Sequence, residues 1–221
     1  MIEYCNVDET IKNYKKYCSD FTFKLKKNFR KLAQPPGYHD CFFNKKKKLI
    51  FLHIDKCASS SLSEFFSFHD DFIDMSWRIS NIKKFNEYLK KNNYTFYAVI
   101  RDPNDRYISG LQEFFKRYYF KSMYIESQLI NQKFIFDEHT SPQWCSILKC
   151  DDNNIEYIKM DKNLEEKISK IIGTNVYLPK NNISEYNIKT KCKNLFKKYC
   201  ENNKNFLDLY QKDFDLYKIA N

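Results

Sequence analysis

The sequence predicts an α/β fold, a single domain built on a central, mainly parallel sheet flanked by helices, and three observations predict it. Leu49-Ile50-Phe51-Leu52-His53-Ile54 and Tyr94-Thr95-Phe96-Tyr97-Ala98-Val99-Ile100 are near-continuous apolar runs, the pattern of strands buried on both faces. Each run leads into residues with helical spacing. A third strand-like stretch, residues 154–160, again precedes a helical pattern. Strands that alternate with helices are joined by crossovers, and crossovers produce parallel neighbours.

Taken in order, residues 8–32 read as a helix with Ile11, Tyr14, Cys18, Phe21 and Leu25 on one side. Gln34-Pro35-Pro36-Gly37-Tyr38 breaks it, so residues 1–36 form an N-terminal helical extension of a domain spanning 1–221. The run Lys45-Lys46-Lys47-Lys48 reads as a solvated lead-in to the strand at 49–54. A helix starts near Ser61 (Leu62, Phe65 and Phe66 share a face), and another covers 80–91 before the strand at 94–100. Asp102-Pro103 stops that strand and a helix follows over 104–119. After the third strand come helices at 162–172, 188–202 and 206–217. Only Gly37, Gly110 and Gly173 are glycines, so special backbone geometry elsewhere falls to residues that carry a Cβ.

Composition narrows the function class. With 43% hydrophobic and 18% aromatic residues among 221, the chain can bury a proper core, which excludes a disordered protein. The net charge of +10 draws anions: nucleotides, sulfated or acidic glycans, nucleic acid or anionic membranes. No motif of interleaved basic and aromatic residues marks a specific nucleic-acid partner. The polar start and the lack of a long apolar window predict neither signal peptide nor membrane span, and hence a cytoplasmic protein. The 8 cysteines contain no C-x-x-C pair and no metal-ligand spacing, so free thiols and no metal are expected.

The strongest chemistry lies in Phe51-Leu52-His53-Ile54-Asp55-Lys56-Cys57-Ala58-Ser59-Ser60-Ser61-Leu62. A buried strand ends, the chain turns, and a helix begins. Unpaired N–H groups at such a helix start, on the positive end of its dipole, make an anion site. One lysine and three serine hydroxyls add donors. An ordinary nucleotide phosphate loop, G-x-x-x-x-G-K followed by Ser or Thr, would have two glycines and its lysine at the end. Here both glycines are missing and Lys56 comes first. The stretch resembles instead the 5′-phosphosulfate loop of the carbohydrate (Golgi-type) sulfotransferases, close to F-V-H-I-P-K-(C/T)-(A/G)-(G/S)-(S/T)-S-(L/F). Asp55 departs from the usual proline, and Ser59 stands where glycine is common, which asks for a permissive backbone there. Taken alone, the loop also fits a serine-capped helix with Lys56 merely exposed.

Tyr97-Ala98-Val99-Ile100-Arg101-Asp102-Pro103-Asn104-Asp105-Arg106-Tyr107-Ile108-Ser109 repeats the geometry, with Arg101 at the C-terminal end of a buried strand, where ligands collect in open α/β sheets. It resembles the same family's 3′-phosphate segment, F-V-R-D-P-x-x-R-x-x-S. The resemblance implies that Arg101 and Ser109 hold a 3′-phosphate, while Arg106 braces the helix or pairs with Asp102 or Asp105. Two segments in the right order, each after a buried strand, are far more specific than either one.

Weaker similarities continue the match. Asp137-Glu138-His139-Thr140-Ser141-Pro142-Gln143 resembles the family's H-x-x-P-Q stretch. Residues 155–160 with Asn163-Leu164-Glu165-Glu166 resemble its next strand and helix start, and residues 207–217 its terminal Y-x-x-D-(F/Y) helix, which reads as packing. Coverage runs sparsely over about residues 49–217.

The resemblance implies a P-loop-kinase-like sulfotransferase fold and 3′-phosphoadenosine 5′-phosphosulfate (PAPS; product PAP) as cofactor, without metal. The sulfuryl group would pass to a hydroxyl acceptor, in the family a carbohydrate. Lys56 would stabilise the leaving phosphate, with Cys57, Ala58, Ser59, Ser60, Ser61 and Leu62 lining the donor site. The acceptor's general base is expected at His69 or His139, with Glu64 and Glu113 as further carboxylates on the two helices. Cys57, at a helix start beside Lys56, is a candidate for a lowered pKa or for simple space-filling. Without a membrane anchor, a microbial or viral cytoplasmic enzyme fits better than a Golgi one. Two other readings stay open: a Mg²⁺-dependent phosphotransferase with a degenerate loop, and a non-catalytic module binding sulfated glycan or nucleic acid.

Overall fold

A computed structural model describes residues 16–19, 41–74, 82–118, 122–147, 155–179 and 186–221, for residues 82–86 and 186 the backbone alone. The described residues form an α/β structure that groups into two compact units, both interleaved in sequence. The first, a sheet unit, takes in residues 37–106, 142–183 and 211–221. The second, a helical unit, takes in residues 1–36, 107–141 and 184–210.

Five strands make the sheet: β1 (Cys41–Asn44), β2 (Leu49–Leu52), β3 (Phe72–Asp74), β4 (Thr95–Ile100) and β5 (Ile155–Lys159), in the order β3-β1-β2-β4-β5. β2, β4 and β5 are parallel, with Phe51 opposite Tyr97 and Tyr97 opposite Glu156. The expected parallel core is therefore present, and β1 and β3 extend it antiparallel on one side. Neither β1 nor β3 was expected. Asn44 and Lys45–Lys48 close the β1–β2 hairpin, where the Asn44 side chain accepts the Lys47 N–H at 2.9 Å and Lys48 takes a left-handed φ of 55°. The lysine run is thus an exposed turn, as a solvated lead-in should be.

Helix α1 (Ser59–Ser67) buries Leu62 and Phe66, and Phe66 packs 5.0 Å from both Phe42 and Phe51. Phe51 in turn stacks 5.1 Å from Tyr97 on the neighbouring strand. Aromatic rings thus fill the space that smaller aliphatic residues commonly occupy. α2 (Ile82–Lys91) leads to β4, and α3 (Pro103–Tyr118) starts just after it; its first four residues belong to the sheet unit and the rest to the helical unit. α5 (Leu164–Ile172) follows β5 and ends at Gly173, whose φ of 69° suits a residue without a Cβ.

The helical unit contains most of α3, then α4 (Ser122–Ile130), α6 (Tyr186–Tyr199) and the start of α7 (Lys204–Ile219). Its centre is again aromatic. Phe206 lies 4.4 Å from Tyr210, 5.0 Å from Tyr107 and 5.5 Å from Phe134, and the Tyr107 hydroxyl donates to Phe134 O at 2.8 Å. The helix expected over 8–32 lies mostly outside the described residues. Lys16 and Tyr17 are helical, and at Cys18 the backbone turns to pair with Ile135 in a parallel bridge, flanked by Ser19 N–H to Ile135 O and Ile135 N–H to Tyr17 O, so the helix does not continue through Cys18.

Candidate functional site: an anion cup at the ends of β2 and β4

β2 stops at Leu52, two residues short of the expected Ile54, and the chain turns through residues 53–58 into α1. The turn is tight: the Cys57 N–H reaches back to Ile54 O at 3.1 Å. Two residues in it are left-handed, Lys56 at φ 66° and Ala58 at φ 59°. For a residue with a Cβ that conformation costs about 1–2 kcal/mol. Strain of this kind is found where a loop has a ligand to hold. Ser59, expected to need the permissive backbone, is instead the first residue of the helix.

The helix cap also differs from a serine cap. Ala58 is the N-cap and supplies no side-chain bond, and Leu62 N–H to Ala58 O at 2.9 Å is the first helical bond. The N–H groups of Ser59, Ser60 and Ser61 precede it and have no intrahelical acceptor. No acidic residue sits in this first turn to neutralise the helix dipole. Among the serines, Ser59 is buried and Ser60 exposed, while the Ser61 hydroxyl donates to Pro179 O at 2.6 Å. Ser61 has one hydroxyl proton, so it offers an anion only its N–H in this arrangement.

Two arginines from the end of β4 and the start of α3 hold the turn by its carbonyls. Arg101 Nη1 donates to Lys56 O at 3.2 Å, and Arg106 Nε to Asp55 O at 2.9 Å. Arg106 is only 1% exposed, and its bond to Asp55 O is the bracing role that was one of the two expected of it. Asp102 accepts the N–H groups of Asn104 and Asp105 at the start of α3. Arg101 is half-buried and keeps further donors for a ligand. The Asp55 carboxylate lies 3.9 Å from His53 Nε2.

Beneath these ends lies a buried polar brace. Gln143 opens a short 3-10 helix (Gln143–Ser146), and its amide oxygen accepts from Cys57 Sγ–H and Arg101 N–H, both at 3.2 Å. Its amide nitrogen donates to Arg101 O at 2.9 Å. The backbone N–H groups of Gln143 and Trp144 donate to the two carboxylate oxygens of Asp213 at 2.8 and 2.9 Å. Burial pushes the Asp213 carboxyl up to about 6 against the pull of Arg106 and of those two N–H groups. Cys57 is not activated: burial raises its thiol to about 11 despite Arg106 and Arg101. It fills space and donates one hydrogen bond.

The remaining candidates lie elsewhere. Leu62 faces the core. His69 follows the C-terminal end of α1, its ring tilted 54° to that of Phe65 at 4.3 Å, with nine helical residues, about 14 Å of rise, between it and the start of the helix. Ser109, half-buried on α3, and His139 belong to the helical unit. His139 is buried with Nδ1 3.0 Å from Asp137 Oδ2, in a turn whose Asp137 Oδ1 accepts the N–H groups of His139 and Thr140. Ligand-type atoms of Asp137, Glu138 and His139 lie within 4.8 Å of one another, but the Asp137 carboxylate is already committed to this turn. Of the residues that meet here, the sequence singled out Lys56 and Arg101 as candidates and did not single out Gln143 and Asp213. Their only signal was their place in the H-x-x-P-Q and Y-x-x-D-(F/Y) stretches.

Comparison with family models, with curated proteins and with solved structures gave no match for this chain. Among the described residues, no helix is long and apolar enough to cross a membrane.

Proposed function

We propose that the cup at the ends of β2 and β4 binds PAPS and that the protein transfers its sulfuryl group to a hydroxyl acceptor, by resemblance a carbohydrate. One observation carries the reading: β2 and β4 are adjacent parallel strands, and Arg101 at the end of one donates to the carbonyl of Lys56 after the other. Two anion-binding segments therefore abut, which suits a nucleotide phosphorylated at two positions better than a monophosphate. Free N–H groups at Ser59–Ser61 and the missing first-turn acid supply the 5′ side. Arg101 supplies a planar, always-charged donor for the 3′-phosphate.

In the transfer, the acceptor oxygen forms a bond to sulfur as the bond from sulfur to the bridging oxygen breaks. The electron pair stays on the 5′-phosphate of PAP, and the acceptor's proton leaves with a base or solvent. Negative charge grows on the leaving phosphate. A lysine and fixed N–H dipoles placed there stabilise it in the transition state more than in the ground state. The net charge of +10 raises the local concentration of so anionic a donor.

Turnover of labelled PAPS against a panel of sugar acceptors tests the reading. Lys56→Ala is expected to lower the rate at least ~100-fold, the scale seen for loss of one electrostatic donor, while wild-type turnover survives a chelator. Dependence on Mg²⁺ with ATP as donor would favour the phosphotransferase reading instead, and wild-type turnover in Lys56→Ala would remove Lys56 from the mechanism.

A further inference from the structure

The residue that ties the two strand ends together is on neither strand. Gln143 bonds at once to Cys57 in the first turn and to both backbone polar groups of Arg101 in the second. It is fully buried, and the carboxylate of Asp213, also fully buried, holds its backbone and that of Trp144. A buried amide with so many partners has one low-energy orientation, because any other leaves donors and acceptors unpaired at a cost comparable to whole hydrogen bonds. Arg106 faces the same cluster, with its Nε on Asp55 O.

The geometry points to Gln143 and Asp213 as positioning residues that fix the spacing between the Lys56 turn and the Arg101 strand end. An anionic ligand reaching both segments then binds only while this brace is closed, whereas one reaching the Lys56 turn alone is nearly indifferent to it. Neither side chain needs to touch the ligand. The identity of the ligand rests on the function proposed above; the brace does not.

The test separates the two. Gln143→Leu keeps the volume and removes every side-chain bond; Gln143→Glu keeps the acceptor oxygens and loses the donor to Arg101 O. In the unliganded protein, alkylation of Cys57, read by peptide mass spectrometry, is expected to speed up about 10-fold or more in Gln143→Leu, the worth of one or two lost hydrogen bonds, and by less in Gln143→Glu. Calorimetric titration with adenosine 3′,5′-bisphosphate should show a similar ~10-fold loss of affinity in Gln143→Leu, with adenosine 5′-monophosphate weakened far less. Asp213→Asn, which replaces one carboxylate acceptor by an N–H donor, should give the same pattern more mildly. Unchanged Cys57 alkylation in Gln143→Leu overturns the brace whatever the ligand. Equal losses for the two nucleotides overturn its positioning role, since general loosening acts on both. If wild-type protein binds neither nucleotide, the donor assignment fails and the alkylation series still decides the brace. Should Gln143→Leu not fold, Gln143→Glu carries both readouts, and wild-type values in it overturn the proposal.

Discussion

Asp213 shows how much the environment changes an ordinary residue. Its carboxyl is fully buried, and burial lifts its pKa from the usual 3.8 to about 6 in spite of Arg106. The linkage has a definite sign. Between about pH 4 and 6 the native state holds a proton that the unfolded chain has lost, so this group's contribution to stability falls as pH rises through that window. Asp213→Asn cannot titrate. Urea unfolding at pH 4.5, 5.5 and 7 should therefore show the wild-type's stability relative to Asp213→Asn decreasing as pH rises; a constant difference would contradict the raised pKa. Near neutral pH the carboxylate is the form that accepts both the Gln143 and Trp144 N–H groups, so the brace is complete where its ionisation is most costly.

At the scale of elements, close approach does what glycine-rich loops do elsewhere. Gly110 sits in α3 with the carbonyl of His139 so near that a Cβ there would overlap it, and both belong to the helical unit. Helix propensity alone favours alanine by about 1 kcal/mol, but a clash with backbone cannot relax like one with a flexible side chain and costs about 1–3 kcal/mol. Gly110→Ala should therefore lose up to about 2 kcal/mol in urea unfolding, and a stabilised variant would contradict that packing. The parallel strands were legible because β2 and β4 are buried on both faces and hence apolar at nearly every position. β3 was not, since three residues are too few to show a period, and β1, an internal strand as short and as buried as β2, has only the run Cys41-Phe42-Phe43-Asn44 to mark it. α4 was missed for the opposite reason: its apolar residues form no clear one-sided stripe, and only Ile125, Gln128 and Leu129 are buried. In the site, Arg101 follows directly after β4 and Lys56 lies in the turn between β2 and α1, so both could be read locally. The brace could not, because Gln143 bonds across 42 residues to Arg101 and Asp213 across 70 to Gln143. Positive φ at Lys56 and Ala58 was equally hidden, since neither residue type advertises it.

Over the whole molecule, the excess of positive charge and the cup make one argument. The +10 charge alone would suit any anion, and a non-specific binder would lose affinity steeply with salt and care little for where a phosphate is attached. What separates a donor site from a basic surface is discrimination between positions on one nucleoside. In the proposed function Arg101 supplies it, and the structure has this residue half-buried at the end of β4 and in contact with the turn after β2. Thermal unfolding with adenosine 3′,5′-bisphosphate and with adenosine 5′-monophosphate, on wild-type protein and Arg101→Ala, is the most direct test of that claim. The donor site predicts a larger upward shift with the bisphosphate that falls to the monophosphate's level in Arg101→Ala. Equal shifts from the two nucleotides in the wild-type protein would contradict it.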